Sequence, residues 1–256
     1  MRMNSAPGKE ILALIREGNY AHPGEEEAID LTFSSLPNNP LRQVLDIGCG
    51  RGGTADYVRR HDWGAVTGID IDAETLASAR ELYPEVSFAV ADVGRISELW
   101  HSRFDLIYLF NAFYAFPDQQ LALEEMHSVA QPGATLMIFD YTGRDGSPHD
   151  TGSWAESDSN GKYTPFSHQS WTPLHPDYFP DDLHRAGWQL EQTFDFTTHY
   201  LRWYRHLCDR IRFNRERITA GFGADWYDYT SATYENLREA VVNGSIGGAV
   251  YWARRA

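Results

Sequence analysis

Ten residues, Val44-Leu45-Asp46-Ile47-Gly48-Cys49-Gly50-Arg51-Gly52-Gly53, constrain this chain more than any others. A short apolar run ends in an acid and gives way to four glycines. A strand buried on both faces of a parallel sheet reads as such a run, and glycines directly after it let backbone approach a ligand where a Cβ would clash. Gly48, Gly50 and Gly53 satisfy the G-x-G-x-x-G spacing of dinucleotide folds, in which a pyrophosphate rests on a helix N-terminus. Asp46 opposes that reading, because a carboxylate ahead of the loop repels a pyrophosphate and suits a cation.

Two further apolar runs end in acids. Val66 to Asp72 brings Asp70 roughly 20 residues past the glycines, where a carboxylate can accept both hydroxyls of a ribose. Val86 to Val90 is followed by Asp92 and Val93. Helical stretches near 54–61, 73–82 and 118–130 alternate with these runs and with apolar runs at 104–109 and 135–139. Such alternation predicts a parallel sheet with helices on both faces and a ligand at the carboxyl ends of its strands. Residues 188–196 and 246–253 read as two closing strands, separated by helices with an apolar stripe at Leu201, Tyr204, Cys208, Ile211 and Ile218, and at Tyr234, Leu237 and Val241.

From about Leu41 to Tyr141 the chain resembles the class I S-adenosylmethionine-dependent methyltransferases. The resemblance implies an α/β Rossmann-like fold with seven strands, mostly parallel and the last antiparallel, and S-adenosylmethionine as cofactor. It places Asp46, Gly48, Gly50 and Gly52 under the methionine part, Asp70 on the ribose with Ile71 against the adenine, and Asp92 with Val93 at the adenine amine. The end of the fourth strand, Phe110 and Asn111, is assigned to the cofactor as well. The expected organisation is an N-terminal helical cap over 1–40 and a methyltransferase domain over 41–256, with a lid near 142–176 and a helical insertion near 197–243.

A Tyr shortly before Pro-Gly, an Asp-Tyr after the fifth strand and a helical excursion before the last strand are similar to the small-amine N-methyltransferases, of the phosphoethanolamine and sarcosine or dimethylglycine type. The likeness gives Tyr20 the closing of the cofactor site and sets Asp140 facing the amine, with Tyr141 beside it. Phe113 and Tyr114 then line the acceptor pocket, and His149 and His168 of the inserted loop lie on the acceptor side. The aromatic stretch after strand four departs from that group, and the last strand lacks basic residues to grip a phosphate, which disfavours phosphoethanolamine itself. Methyl transfer to a positioned lone pair draws about 7 to 11 kcal/mol from orientation alone, so a general base is not obligatory.

The net charge of −14 excludes a surface for duplex nucleic acid, which needs a basic face. Two cysteines give no disulfide framework, and the apolar stretch Ile11 to Ile15 is too short for a signal or a span, so a cytoplasmic monomer or homodimer without membrane attachment is expected. No histidine pair has helical metal-ligand spacing. Arg202, Arg205, Arg210, Arg212, Arg215 and Arg217 crowd what reads as one helix, and most are expected to be solvated or paired. The expected activity is N-methylation of a small amine. The alternatives are O-methylation of an aromatic natural product, a non-catalytic S-adenosylmethionine-binding protein and, least favoured, a dehydrogenase.

Overall fold

The computed structural model describes residues 1–143 and 171–256. Two helices, α1 (Ala6–Arg16) and α2 (Glu25–Phe33), precede β1 (Gln43–Ile47). There follow α3 (Gly53–Arg60), β2 (Ala65–Asp70), α4 (Ala73–Leu82), β3 (Ser87–Val90), β4 (Phe104–Phe110), α5 (Gln119–Val129) and β5 (Ala130–Gly143). The chain closes with α6 (Phe179–Arg185), β6 (Trp188–Asp195), α7 (Thr197–Phe213), α8 (Arg215–Phe222), α9 (Ala224–Val242) and β7 (Ile246–Arg255).

The strands form one sheet in the order β3-β2-β1-β4-β5-β7-β6, with β7 antiparallel to both neighbours and the remaining pairs parallel. Along β4 the side chains alternate between two cores. Leu106, Tyr108 and Phe110 pack with α1, α2, α3, α7 and α9, while Ile107 and Leu109 pack with α5 and α6. Period-two alternation with both faces covered is why these strands read as continuous apolar runs. The strand order reverses between β1 and β4, and that crevice is where an open α/β sheet binds its ligand.

Three boundaries differ from the sequence reading. β5 begins at Ala130, ahead of the apolar run at 135–139, and takes in Gln131-Pro132-Gly133, because a register shift against Phe104 and Leu106 and the left-handed Gly133 absorb the extra residues. At its other end β5 runs through Gly143, and Leu174 returns beside it, its N–H on Tyr141 O and its carbonyl accepting from Gly143 N, both at 2.9 Å. The arginine-rich helix is two helices, since Asn214 caps Arg210 O with its amide and the chain restarts at Arg215.

Helix α7 lies directly on β7. A Cβ at Gly248 would come 2.2 Å from the Tyr200 ring, so Gly248→Ala is expected to lower stability by about 1–3 kcal/mol through overpacking, read as a lower urea midpoint at unchanged slope. An unchanged midpoint would show that the ring yields freely.

Candidate active site

The glycine loop leaves β1 with Gly48, Gly50 and Gly52 all in the left-handed region, at φ of 73°, 54° and 82°. Each tolerates it because glycine lacks a Cβ. At Gly48 there is also no room, since a Cβ would stand 2.6 Å from that of Ala112 in the loop after β4. Gly50 is the opposite case: it is buried, yet a Cβ there would meet nothing within 4 Å. The loop therefore borders open space on its ligand side.

Two acids, Asp46 in β1 and Asp70 at the end of β2, influence each other here. Asp46 is only 3% exposed and accepts the Tyr108 hydroxyl at 2.9 Å. Burial, with the charge of Asp70 adding to it against the pull of the Tyr108 bond, pushes its carboxyl up to about 7. A buried carboxylate with another beside it is uncomfortable unless a cation joins them. Asp70 accepts Gly50 N–H at 2.9 Å and Asp72 N–H at 3.0 Å, one on each oxygen. A carboxylate has about four acceptor positions, which leaves capacity for two ribose hydroxyls. Ile71, 72% exposed beside it, offers an apolar face to a flat ring. Asp92 is exposed and caps the 3-10 turn through Gly94 N–H at 2.9 Å, and Val93 is half-buried.

The N-terminal segment sits on this loop. Arg51 donates to the Asn19 side chain at 2.8 Å, Lys9 joins Asp72 at 3.1 Å, and a Cβ at Gly53 would touch Asn19 O at 2.6 Å. His22 is 1% exposed and packs tilted against Phe110 with ring centroids 4.5 Å apart. Its Nδ1 donates to Pro23 O at 3.2 Å, which leaves Nε2 to accept from Thr54 Oγ1 at 3.0 Å. Burial lowers it to about 4, so the ring is neutral and both nitrogens are occupied. Tyr20 turns its hydroxyl to Glu26 at 2.9 Å and lines a cleft of about 700 Å³ with Glu25, Glu27, Trp203 and Arg210. It is not brought to Asp140 by any hydrogen bond of its hydroxyl.

At the end of β5, Asp140 is fully buried. One of its oxygens accepts Phe113 N–H at 2.8 Å and Tyr114 N–H at 3.2 Å, and the other accepts Tyr141 N–H at 2.7 Å. Burial raises it to about 7 against the opposing pull of those bonds. Asp140 thus holds the loop after β4 in shape. Tyr141 shares a hydrogen bond with the Tyr204 hydroxyl, and its ring meets Tyr114 at 5.2 Å and Trp171 at 5.0 Å. Phe113 is buried on the other face of the sheet against Phe179, so of the expected pocket pair only Tyr114 faces this wall. Asn111, at φ 48°, takes the Tyr200 hydroxyl on Oδ1 at 3.1 Å. His149 and His168 lie outside the described residues.

Sequence reasoning passed over Arg16, His22 and Tyr200. Arg16 had a signal, because it extends the buried stripe of Gly8, Ile11, Leu12 and Ile15, an apolar face on which a charge must be paired. It donates to His22 O and to Glu25 at 2.7 Å, and Glu25 also receives Arg210 at 2.7 Å. Arg202 pairs with Glu27, Arg212 with Asp209 and Glu235, and Arg217 donates to Asn214, so the arginine face is largely paired as expected. Among the described residues no cluster of three or more His, Cys, Asp or Glu could hold a metal, and no helix is long and apolar enough to cross a membrane.

Residues 45–138 match the model of a family described as a methyltransferase domain. Over those residues the chain is similar to a methyltransferase domain. Its glycine loop, Asp70, Asp92 and most of β5 fall within that match. Over 129 residues, 46% of this chain, the sequence is 34% identical to ajmaline N-methyltransferase of Rauvolfia serpentina, covering 43% of that protein. The chain spans less than half the length of the curated relatives it matches. In fold the chain is similar to Haemonchus contortus phosphoethanolamine N-methyltransferase 2, solved with phosphomonomethylethanolamine and S-adenosylhomocysteine. That likeness has a TM-score of 0.84 at 19% identity and covers 99% of this chain and 59% of the other. A putative sarcosine dimethylglycine methyltransferase of Galdieria sulphuraria gives 0.74 at 15% identity, covering 90% and 85%. The seven-stranded, mostly parallel class I methyltransferase fold is therefore the fold of this protein.

Proposed function

We propose that the protein is an S-adenosylmethionine-dependent methyltransferase that acts on the nitrogen of a small amine. The observation that carries the reading is the pair of acids at the glycine loop: Asp70 accepts the N–H of Gly50, whose Cβ side is open, and Asp46, buried in β1, has its carboxyl raised by burial and by Asp70. A cationic ligand with a ribose satisfies both acids at once, whereas a pyrophosphate would face them with like charge. Asp46, Gly48, Gly50 and Gly52 would hold the methionine part, Asp70 the ribose, and Ile71, Asp92 and Val93 the adenine. When bound, S-adenosylmethionine supplies a methyl group already activated by its sulfonium.

The protein's share is positioning and exclusion of water. Asp140 fixes the loop that follows β4, and Tyr114, Tyr141 and Trp171 form an aromatic wall suited to an amine on an apolar body. Tyr20 belongs to the cap that closes the cofactor side. The N-methyltransferases among the relatives support nitrogen as the acceptor atom. Both cysteines are unpaired and buried, in keeping with a reducing cytoplasm.

Calorimetric titration with S-adenosylhomocysteine tests the cofactor, and methyl-labelled S-adenosylmethionine with a pooled panel of amines, amino acids and phenols tests the acceptor. Label on nitrogen supports the proposal, and label on oxygen replaces it with the O-methyltransferase alternative. Asp70→Ala is expected to weaken S-adenosylhomocysteine by about 1–3 kcal/mol through lost charged hydrogen bonds. Unaltered affinity would remove Asp70 from the cofactor site.

A further inference from the structure

Tyr108 carries a hydroxyl where its neighbours carry none. It stands in the run Leu106-Ile107-Tyr108-Leu109-Phe110 of β4, is 0% exposed, and packs its ring edge to face against Phe33 of α2 at 5.3 Å and Phe110 at 5.8 Å. Phenylalanine would fill the same space, and a phenol enclosed in such a core costs free energy unless its hydroxyl finds a partner. The partner is built into the sheet. Tyr108 and Asp46 are register partners in the parallel pairing of β1 with β4, and the hydroxyl donates to Asp46 Oδ2 at 2.9 Å. The other oxygen, Oδ1, has no hydrogen-bond partner among the described residues, yet it is not one of the side-chain atoms sealed from water. One half of the carboxyl is thus tied to the core, and the other half is open.

We propose that Tyr108 is a positioning residue for the cofactor: it holds one oxygen of Asp46 so that the other meets the α-ammonium of the methionine part. This rests on the methyltransferase reading above, which assigns that part to Asp46. A donor on one oxygen favours the anion over the neutral acid, and only the anion attracts an ammonium. Burial and Asp70 push the carboxyl the other way, up to about 7, and the phenol is the group that opposes them. The titratable groups facing Asp46 are Tyr108 from β4, Asp70 from β2 and Cys49 from the glycine loop, with Lys9 of α1 acting on Cys49. Burial raises Tyr108 and Cys49 well above their ordinary values, so Asp46 titrates while both keep their protons. Without the phenol the carboxyl rises further, and near neutral pH the cation meets a proton that must first leave.

Tyr108→Phe, which removes one oxygen and no carbon, tests this by calorimetric titration with S-adenosylhomocysteine from pH 6 to pH 9. The variant is expected to bind about tenfold more weakly than the wild type at pH 6, in keeping with one lost hydrogen bond to a charged group. It should come within about twofold of the wild type at pH 9, where the carboxyl is ionised in both proteins. A phenol that only packs would give a ratio indifferent to pH. Adding Tyr108→Phe to Asp46→Asn should change affinity by less than about twofold at any pH, because the phenol acts through the carboxylate. A ratio that stays constant over the range, parity included, or that widens with pH overturns the role of Tyr108, as does a further large loss in the Asp46→Asn background. Failure of S-adenosylhomocysteine to bind the wild type is a different result, and it overturns the methyltransferase reading itself.

Discussion

Asp46→Asn is expected to raise the stability of the protein by about 3 kcal/mol at pH 8, to change it little at pH 4, and to weaken S-adenosylhomocysteine at least about tenfold. The carboxyl rises on folding from the ordinary range near 4 to about 7, so the native state holds a proton that the unfolded chain releases. Such a group adds its full stability below the unfolded value and loses it as pH climbs through the folded one. Three units correspond to about 4 kcal/mol lost by pH 8, and asparagine escapes that loss while its carbonyl still accepts the Tyr108 hydroxyl. Its amide hydrogens need a partner, which takes back about 1 kcal/mol. Urea melts at the two pH values check this. Equal stabilisation at both would mean that packing, and not the buried charge, is responsible. The affinity cost follows from the same charge, because S-adenosylhomocysteine, which has no sulfonium, still carries an α-ammonium in the part assigned to Asp46, and a site that keeps an uncompensated carboxylate is trading stability for such a cation. Titrations near pH 6 in two buffers should show the wild type releasing a proton on binding, and the asparagine variant releasing none.

The glycine loop and its acids were legible because each is local: a strand, its terminal carboxylate and its turn lie within ten residues, and the sheet brings the three acids to one edge without further instruction. The alternation of runs likewise fixed β1 to β4 within a residue or two. What escaped was set by distant partners. The length of β5 depends on a bulge against β4 and on Leu174 returning beside it, neither visible in the run from Thr135 to Phe139. Asp140 could be placed at a ligand-bearing strand end, yet its bonding to Phe113 and Tyr114 depends on how the loop after β4 folds back. Tyr200 sat in an arginine-rich stretch where charge drew attention away from a buried phenol 89 residues from its partner. His22 lay inside the Tyr20-to-Gly24 segment, but its neutral state follows only from burial under Phe110 and Thr54.

Asp140→Ala is expected to cost at least about 4 kcal/mol of stability, a large share of the 5–15 kcal/mol that holds a typical domain. Truncation leaves the N–H groups of Phe113, Tyr114 and Tyr141 without their acceptor, each about 1–3 kcal/mol when buried. Asp140→Asn separates the contributions. Its carbonyl can still serve Phe113 and Tyr114, while its NH2 opposes the Tyr141 N–H, so a loss of about 2 kcal/mol is expected. The loop held this way carries Asn111, Ala112 and Tyr114, so methyl transfer should fall in both variants. Asp46 and Asp70 belong to β1 and β2, so S-adenosylhomocysteine binding should suffer less than methyl transfer does. The pH profile adds a second signature. Ionised, Asp140 accepts all three bonds; protonated, it commits one oxygen as a donor and the loop loosens. Methyl transfer by the wild type should therefore climb through about pH 7, and that step should vanish in Asp140→Asn. A step that survives the substitution would assign the titration to the acceptor amine, and Asp140 would then be a purely structural clamp.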